Sequence, residues 1–530
     1  MGGARASCED RRMNLLADLT QLQPSPALLS GVAAMLRQVT TNEQQLQVQS
    51  AQIKYLEQKN KALMLELAHL KRMRFGSKSE AFTADQRTLF EEDAVQDLAA
   101  VQAELEAQVP KVPEPAPARK RDRAGRQPLP PHLPRIEVRH EPASCTCGHC
   151  QGPLVKIGED VSEQLDIEPA RFFVVRNIRP QYACRHCETV QAAPVAPAII
   201  DGGMATPGLL TWVAIGKYLD HLPLYRLEQI AERQQVPLAR STLCEWIGRI
   251  GVALQPLADR LVERLREGSS LHADETPVQQ LDPGSGKTKR AYLWAYRSND
   301  LAGAAPMVVF DYQQSRSGKH AAAFLQDWCG LLMVDDYAGY KQLLGENVVE
   351  QACLAHARRK FFELHANGGH PVAAEALARI GALYAVEARA RELKPSERYR
   401  LRQTQSLPIL QALHDWLISL RPNVAPGSGL AKAIDYLLRR WEAFTRYAHS
   451  GDLPIDNNAV ENAIRPITLG KKNWLFTGSE RAGRRAAAIQ SLLATAKLNG
   501  LDPAAWLKDT LEKLPTWPNS RIDELLPVRS

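Results

Sequence analysis

Between Leu46 and Leu70, apolar residues recur on a seven-residue period. Leu46, Ile53, Asn60 and Leu67 share one heptad position, and Gln49, Leu56, Leu63 and Leu70 lie three residues later. No Gly or Pro interrupts Thr41 to Phe75. The pattern predicts a zipper-like coiled coil over 41–75 that joins chains in parallel, with Asn60 trading stability for register. The alternative is an amphipathic helix docked on its own domain. Further along, runs of β character occupy 271–279, 290–297 and 306–312. Leu331 to Val334 is an unbroken apolar run and reads as a buried strand. Val348 to Cys353 predicts a fifth strand, and Ala357 to His365 opens a helix. From Pro371 to His449 the period is helical, so a helical insertion at about 365–450 divides the strand-bearing region.

These elements divide the chain. Residues 1–40 form an amino-terminal tail, in which Met13 is an alternative start, and 41–75 the coiled coil. Residues 76–135 are a linker, acidic at first and then holding eight prolines from Pro110 to Pro134 around Arg119, Lys120, Arg121 and Arg123. A cysteine-bearing module spans 136–195, a helix-turn-helix-like region 205–255, a mixed catalytic domain 265–480 and a carboxy-terminal helical region 481–530. The expected fold class is multidomain α+β. At 530 residues, two to four domains are expected. The net charge of +7 permits nucleic-acid binding without demanding it. No apolar run approaches the ~18 residues of a membrane span and no signal-peptide core is evident, so a cytoplasmic protein, nucleoid-associated when on DNA, is expected.

Nine cysteines in so long a chain do not make a disulfide scaffold. Four of them form Cys147-x-x-Cys150 and Cys184-x-x-Cys187, enough thiolates for one structural tetrahedral Zn²⁺ per chain. Cys145, His149 and His186 are close enough to substitute as ligands. In the helical region, Leu224 to Arg233 and a second helix from Ser241 to Ile250 flank Pro237. The second helix would present Arg240 and Arg249 to a DNA groove. A plain helical hairpin in a domain core has the same pattern.

The chemistry centres on acids. Asp274 lies within the 271–279 strand, Asp335 and Asp336 end the buried strand, and Glu461 follows on a helix. Carboxylates at a buried strand end are costly unless cations meet them. Three such oxygens suit a pair of hard divalent cations, Mg²⁺ or Mn²⁺, able to clamp a phosphodiester. Each acid also has an ordinary reading: Asp274 as a surface acid, Asp336 as a cap, and Glu461 as the partner of Asn458 in a capping box. Basic clusters surround them: Arg358 to Lys360, Lys471-Lys472 and Arg481, with Arg465 one turn after Glu461. Arg465, Lys471 and Lys472 are therefore candidate DNA contacts.

The ordered segments Gly158 to Glu163, Lys217 to Tyr225, His272 to Pro277, Asp336 to Tyr340, Cys353 to Phe361 and Asn457 to Ser479 together resemble a bacterial DDE transposase of the insertion sequence 66 family. The resemblance covers most of the chain from about Phe75. It implies a ribonuclease-H-like catalytic domain with Asp274, Asp335 and Glu461 as catalytic metal ligands. It also implies DNA partners (element terminal inverted repeats and target DNA), association through the amino-terminal zipper, and small accessory proteins encoded by the same element. Two positions depart from the pattern: Asp336 stands where the family usually has Gly, and Leu354 where it usually has Trp. Cys353 and His356 match a Cys-x-x-His element of several DDE groups, a pair too small for a zinc site by itself.

The implied function is metal-dependent cleavage of element ends followed by strand transfer. Two rivals remain: a structure-specific nuclease of the same fold, and a non-catalytic zinc and helix-turn-helix regulator. The regulator has no use for three converging carboxylates, and the nuclease differs in being unable to join a precut end to target DNA.

Overall fold

A computed structural model of the protein describes residues 129–141 and 154–528 apart from 169–170, 283–284, 286, 304 and 367–369, together with scattered positions between 32 and 59. Of the predicted zipper, Leu46, Ile53 and Leu56 are helical and half or more exposed. Gln49 is likewise helical and exposed, while Asn60, Leu63, Leu67 and Leu70 lie outside the described residues.

The cysteine-bearing region is built on a four-stranded sheet of β1 (Arg135–Arg139), β2 (Leu154–Glu168), β3 (Arg171–Cys184) and β4 (Val190–Ala192). The β2–β3 pair is a long antiparallel ribbon that sets Leu154 opposite Cys184. Three helices follow: α1 (Pro207–Tyr218), α2 (Leu224–Arg233) and α3 (Arg240–Arg266). The predicted second helix is longer than expected. It starts at Arg240 and continues past Ile250 to Arg266 with Pro256 inside it. Leu243, Trp246, Ile247, Ile250, Leu254 and Leu261 are all buried in the main core, and that apolar stripe carries the helix onward.

Next comes a five-stranded sheet in the order β7-β6-β5-β8-β9. Its strands are β5 (Ser270–Asp282), β6 (Lys287–Ser298), β7 (Val308–Gln313), β8 (Gly330–Val334) and β9 (Val348–Ala352). The first three run antiparallel, and β8 and β9 are parallel to β5. Short helices α4 (Lys319–Leu325) and α5 (Ala338–Lys341) make the crossovers. Alternation along β6 buries both faces: Trp294 and Tyr296 enter the core beneath α3, while Leu293 and Ala295 enter a second core. That second core is completed by Val460, Ile464 and Ile467 of the later helix Asn458–Trp474.

After β9 the chain forms α6 (Leu354–Ala366) and then the predicted insertion: α7 (Pro371–Ala390), α8 (Pro395–Leu401), α9 (Leu407–Leu420), α10 (Gly429–Leu438) and α11 (Trp441–Thr445). It returns as α12 (Asn458–Trp474), α13 (Glu480–Leu498) and α14 (Pro503–Lys513). Helix α13 satisfies the outer edge of β7. Ser491 Oγ accepts from the Phe310 amide at 2.7 Å, and Thr495 Oγ1 bonds both backbone groups of Val308 at 3.1 Å. Side-chain hydroxyls thereby cover an edge that would otherwise template pairing.

The insertion has its own core, including Leu383, Leu413, Leu417, Ile434 and Phe444, continuous with Phe361 of α6. At its base Arg402 is completely buried. It donates to both oxygens of Glu387 at 2.9 and 2.6 Å and to the carbonyls of Tyr447 and Ser450 at 3.0 and 2.7 Å. Removing one partner strands a buried charge, so Arg402→Ala should destabilise the protein by about 3–5 kcal/mol in denaturant titrations. Unchanged stability would show that water or a neighbour replaces the guanidinium.

Candidate active site

The five-stranded sheet and α12 bring the predicted acids to one place. Strands β5 and β8 pair with His272 opposite Met333. Asp274 follows two residues later on β5, and Asp335 directly follows Val334, the last residue of β8, near enough for its charge to act on Asp274. Strand alternation turns Asp274 toward α12, the face that also carries Val278. Glu461 lies in the first turn of α12.

What seats that turn is Asn457. Its side chain is buried and donates through Nδ2 to the Ala273 carbonyl at 2.9 Å. Its Oδ1 meets His272 Nδ1 at 2.8 Å, so Nδ1 carries the proton. The Asn457 amide donates to Cys353 Sγ at 3.2 Å. Burial pushes the His272 imidazole down to about 4, leaving it a neutral donor. The capping-box reading of Glu461 with Asn458 is not what forms: Asn457 is the N-cap residue and its side chain makes no capping bond, while Asp456 Oδ1 accepts from the Asn458 amide at 3.1 Å.

Burial pushes the Asp274 carboxyl up to about 7, and the charges of Glu275, Asp335 and Glu461 push the same way. The Glu275 amide, donating to Asp274 Oδ1 at 2.8 Å, only partly opposes this. Asp274 is therefore held near neutrality by its surroundings, a cost that a bound cation would remove. Glu461 Oε1 and His356 Nδ1 are buried without a hydrogen-bond partner and lie 3.8 Å apart. A carboxylate oxygen without a partner, among acids whose charges act on one another, is a donor that a divalent cation would take up. The three acids do not form one tight knot, however: among the described residues, the group whose ligand atoms all lie within 4.8 Å of one another is Cys353, His356 and Glu461.

Asp335 Oδ1 accepts from the Tyr337 amide at 2.8 Å. Asp336 lies 2.9 Å from Lys341 Nζ and 4.0 Å from Arg440 Nε, and it lines the same hollow as Asp335. Arg440, reaching back from the insertion, donates to the Asp335 carbonyl at 3.1 Å and to Glu350 Oε1 at 2.6 Å. Beside the acids is a hollow lined by Arg316, Asp335, His356, Arg359 and Lys360.

Sequence reasoning passed over several residues that set this geometry. Glu275 points to the opposite face from Asp274, is almost fully buried, and accepts from Arg316 Nε at 2.6 Å and the Tyr340 hydroxyl at 2.8 Å. Adjacent acids on a two-sided strand must face opposite ways, so one of them needed an internal partner; that signal was present. Arg440 and Asn457 carried no comparable signal, because their partners come from remote segments.

The proposed DNA contacts are scattered. Arg240 pairs with Glu228 and Arg249 with Glu245. Lys471 donates to the Pro277 carbonyl at 3.2 Å, while Arg465 and Lys472 are exposed on α12. In the cysteine module, Cys184 and Cys187 flank a tight turn between β3 and β4, closed by the Cys184 amide on the Thr189 carbonyl at 3.0 Å. Cys147 and Cys150 lie outside the described residues.

Comparison with known proteins places this architecture among DNA transposases. Residues 202–485 match the model described as Transposase IS66 family, and 144–188 that of the zinc-finger binding domain of transposase IS66. Residues 62–138 match Transposase C of IS166 homeodomain, and 491–528 the IS66 C-terminal element. The chain belongs to the IS66 family of transposases. Among its relatives, the uncharacterized protein y4qI of Sinorhizobium fredii is 36% identical, over 94% of this chain and 96% of its own length. The uncharacterized protein y4jD of the same organism is 37% identical, over 88% and 94%. No helix among the described residues is long and apolar enough to cross a membrane.

Asn457→Ala should strand the His272 donor and the Ala273 carbonyl, costing about 1–3 kcal/mol. Denaturant unfolding measures this, and a wild-type midpoint would show that the amide is not the tie between β5 and α12.

Proposed function

We propose that the protein cuts the ends of its own insertion sequence and joins the freed 3′-hydroxyls to target DNA, using Asp274, Asp335 and Glu461 on a ribonuclease-H-like sheet. The observation that carries this reading is the convergence of β5, β8 and the first turn of α12, with the Asp274 carboxyl pushed up first by burial and then by its acidic neighbours. The three acids would hold two Mg²⁺ or Mn²⁺ ions. Bound there, such a pair polarises a scissile phosphate and favours deprotonation of the attacking oxygen. The chain's own contribution is placement. Asn457 fixes Glu461 over β5, Arg440 fixes the end of β8, and Arg316, Arg359 and Lys360 offer phosphate contacts along the hollow. In-line attack depends on such placement. Association of chains through the 41–75 helix, DNA contacts by Arg240, Arg249, Arg465, Lys471 and Lys472, and help from accessory proteins belong to the same proposal.

Incubation with end-containing DNA, a target plasmid and Mg²⁺ or Mn²⁺, scored for nicking and joining, tests it. Asp274→Asn, Asp335→Asn and Glu461→Gln preserve size and should each nearly abolish cleavage while leaving DNA binding intact. Asp336→Gly should keep substantial activity, because Asp336 is turned toward Lys341. If Asp336→Gly abolished cutting and Asp335→Asn spared it, the second ligand would be Asp336. Cutting without joining would identify a nuclease.

The zinc-finger region is proposed to hold one Zn²⁺ on Cys147, Cys150, Cys184 and Cys187. The β2–β3 register supports this, since it sets Leu154, shortly after Cys150 in sequence, opposite Cys184. Elemental analysis should find about one tightly held zinc per chain. Cys184→Ser should release it while the five-stranded domain stays folded. Zinc-free protein with an intact module would refute the assignment.

A further inference from the structure

Cys353 follows β9 directly, and His356 lies in the first turn of α6. Neither is used by the three-acid reading. Yet the cysteine sulfur, a histidine ring nitrogen and a carboxylate oxygen of Glu461 all lie within 4.8 Å of one another. Two features show that this cluster is more than chance proximity. His356 Nδ1 and Glu461 Oε1 are buried, face each other at 3.8 Å and make no hydrogen bond, an arrangement that leaves two lone-pair donors aimed at one space. The sulfur, meanwhile, accepts the backbone amides of Asn457, at 3.2 Å, and His356. Those amides orient the sulfur, while burial pushes the Cys353 thiol up to about 12, so its proton would be displaced only by a bound cation.

We propose that Cys353 Sγ, His356 Nδ1 and Glu461 Oε1 form a binding site for a borderline-soft divalent ion such as Zn²⁺ or Co²⁺, with water as the fourth ligand. One sulfur, one imidazole nitrogen and one carboxylate oxygen form a donor set that Zn²⁺ accepts and that Mg²⁺, which demands oxygen, does not. The cysteine is fully buried, whereas His356 and Glu461 keep 23% and 28% of their side chains exposed. The fourth position therefore opens toward the hollow that His356 and Arg359 line. Three protein ligands and an open position are the hallmark of a reactive or exchangeable zinc site rather than a closed structural one. Glu461 is shared with the three-acid site. If the proposed function is right, an ion here withdraws that carboxylate from Mg²⁺, so the site would restrain cutting when zinc is plentiful. Binding itself does not depend on that reading.

Co²⁺ titration of the full chain, with its zinc content followed by elemental analysis, tests the site. The expected result is one cobalt per chain taken up without loss of the zinc already held. It should show the visible bands of a four-coordinate ion and a sulfur-to-cobalt charge-transfer band. Cys353→Ser should remove the charge-transfer band. His356→Ala should weaken cobalt binding by more than the roughly 10–100-fold that loss of an outer-shell partner costs. Asp274→Asn and Asp335→Asn should leave the spectrum unchanged even where they abolish cleavage, which separates failure of this site from failure of the three-acid mechanism. A spectrum lacking the sulfur band, or one unaltered by both Cys353→Ser and His356→Ala, overturns the proposal. Should circular dichroism show Cys353→Ser unfolded, His356→Ala and His356→Gln decide alone, since His356 is partly exposed.

Discussion

A single buried amide ties the acidic centre together. Asn457 spends every polar atom of its side chain on β5, and its backbone amide on the cysteine after β9. The helix carrying Glu461 is thus registered against both the antiparallel and the parallel halves of the sheet. Satisfied networks of this kind rigidify a site, and each unpaired member would carry a full desolvation penalty. The neutral state of His272 belongs to the same arrangement, for a charged imidazole there would meet neither water nor a counter-ion.

The insertion is bound to the centre in a comparable way. Its core is separate from the two cores of the sheet, yet Arg440 spans the gap to the Asp335 carbonyl and Glu350. Tyr384 also donates to Asp456 at 3.0 Å, just before the Asn457 turn. The insertion therefore braces two of the three acid-bearing segments, which makes it part of the acidic centre's scaffold.

Much of this was legible in the sequence, for identifiable reasons. The strand at Leu331 to Val334 was visible because a parallel strand buried on both faces must be apolar throughout, and its terminal acids stood out against it. The insertion was visible because helical period replaced strand period over a long span. The extent of α3 was not: the expected helix ended at Ile250, while the apolar stripe continues through Pro256 to Leu265. The roles of Asn457 and Arg440 were hidden for a different reason: a polar residue's partner across a fold leaves no periodic trace. Glu275 lies between these cases, since its inward direction follows from alternation although its partners Arg316 and Tyr340 do not.

The separation of the site's halves along the chain has a bearing on how such a protein is made. His272 and Asn457 are 185 residues apart. At synthesis rates of about 5–20 residues per second, roughly 10–40 seconds pass between the emergence of the first strand and the arrival of the helix that completes the acidic centre. During that interval the nascent chain holds two of its acids without the third, and Asp274 has no Asn457 turn above it. The acidic centre is therefore incomplete for most of the time the chain spends on the ribosome. Messages or chains broken anywhere before Glu461 yield products in which that centre is never assembled.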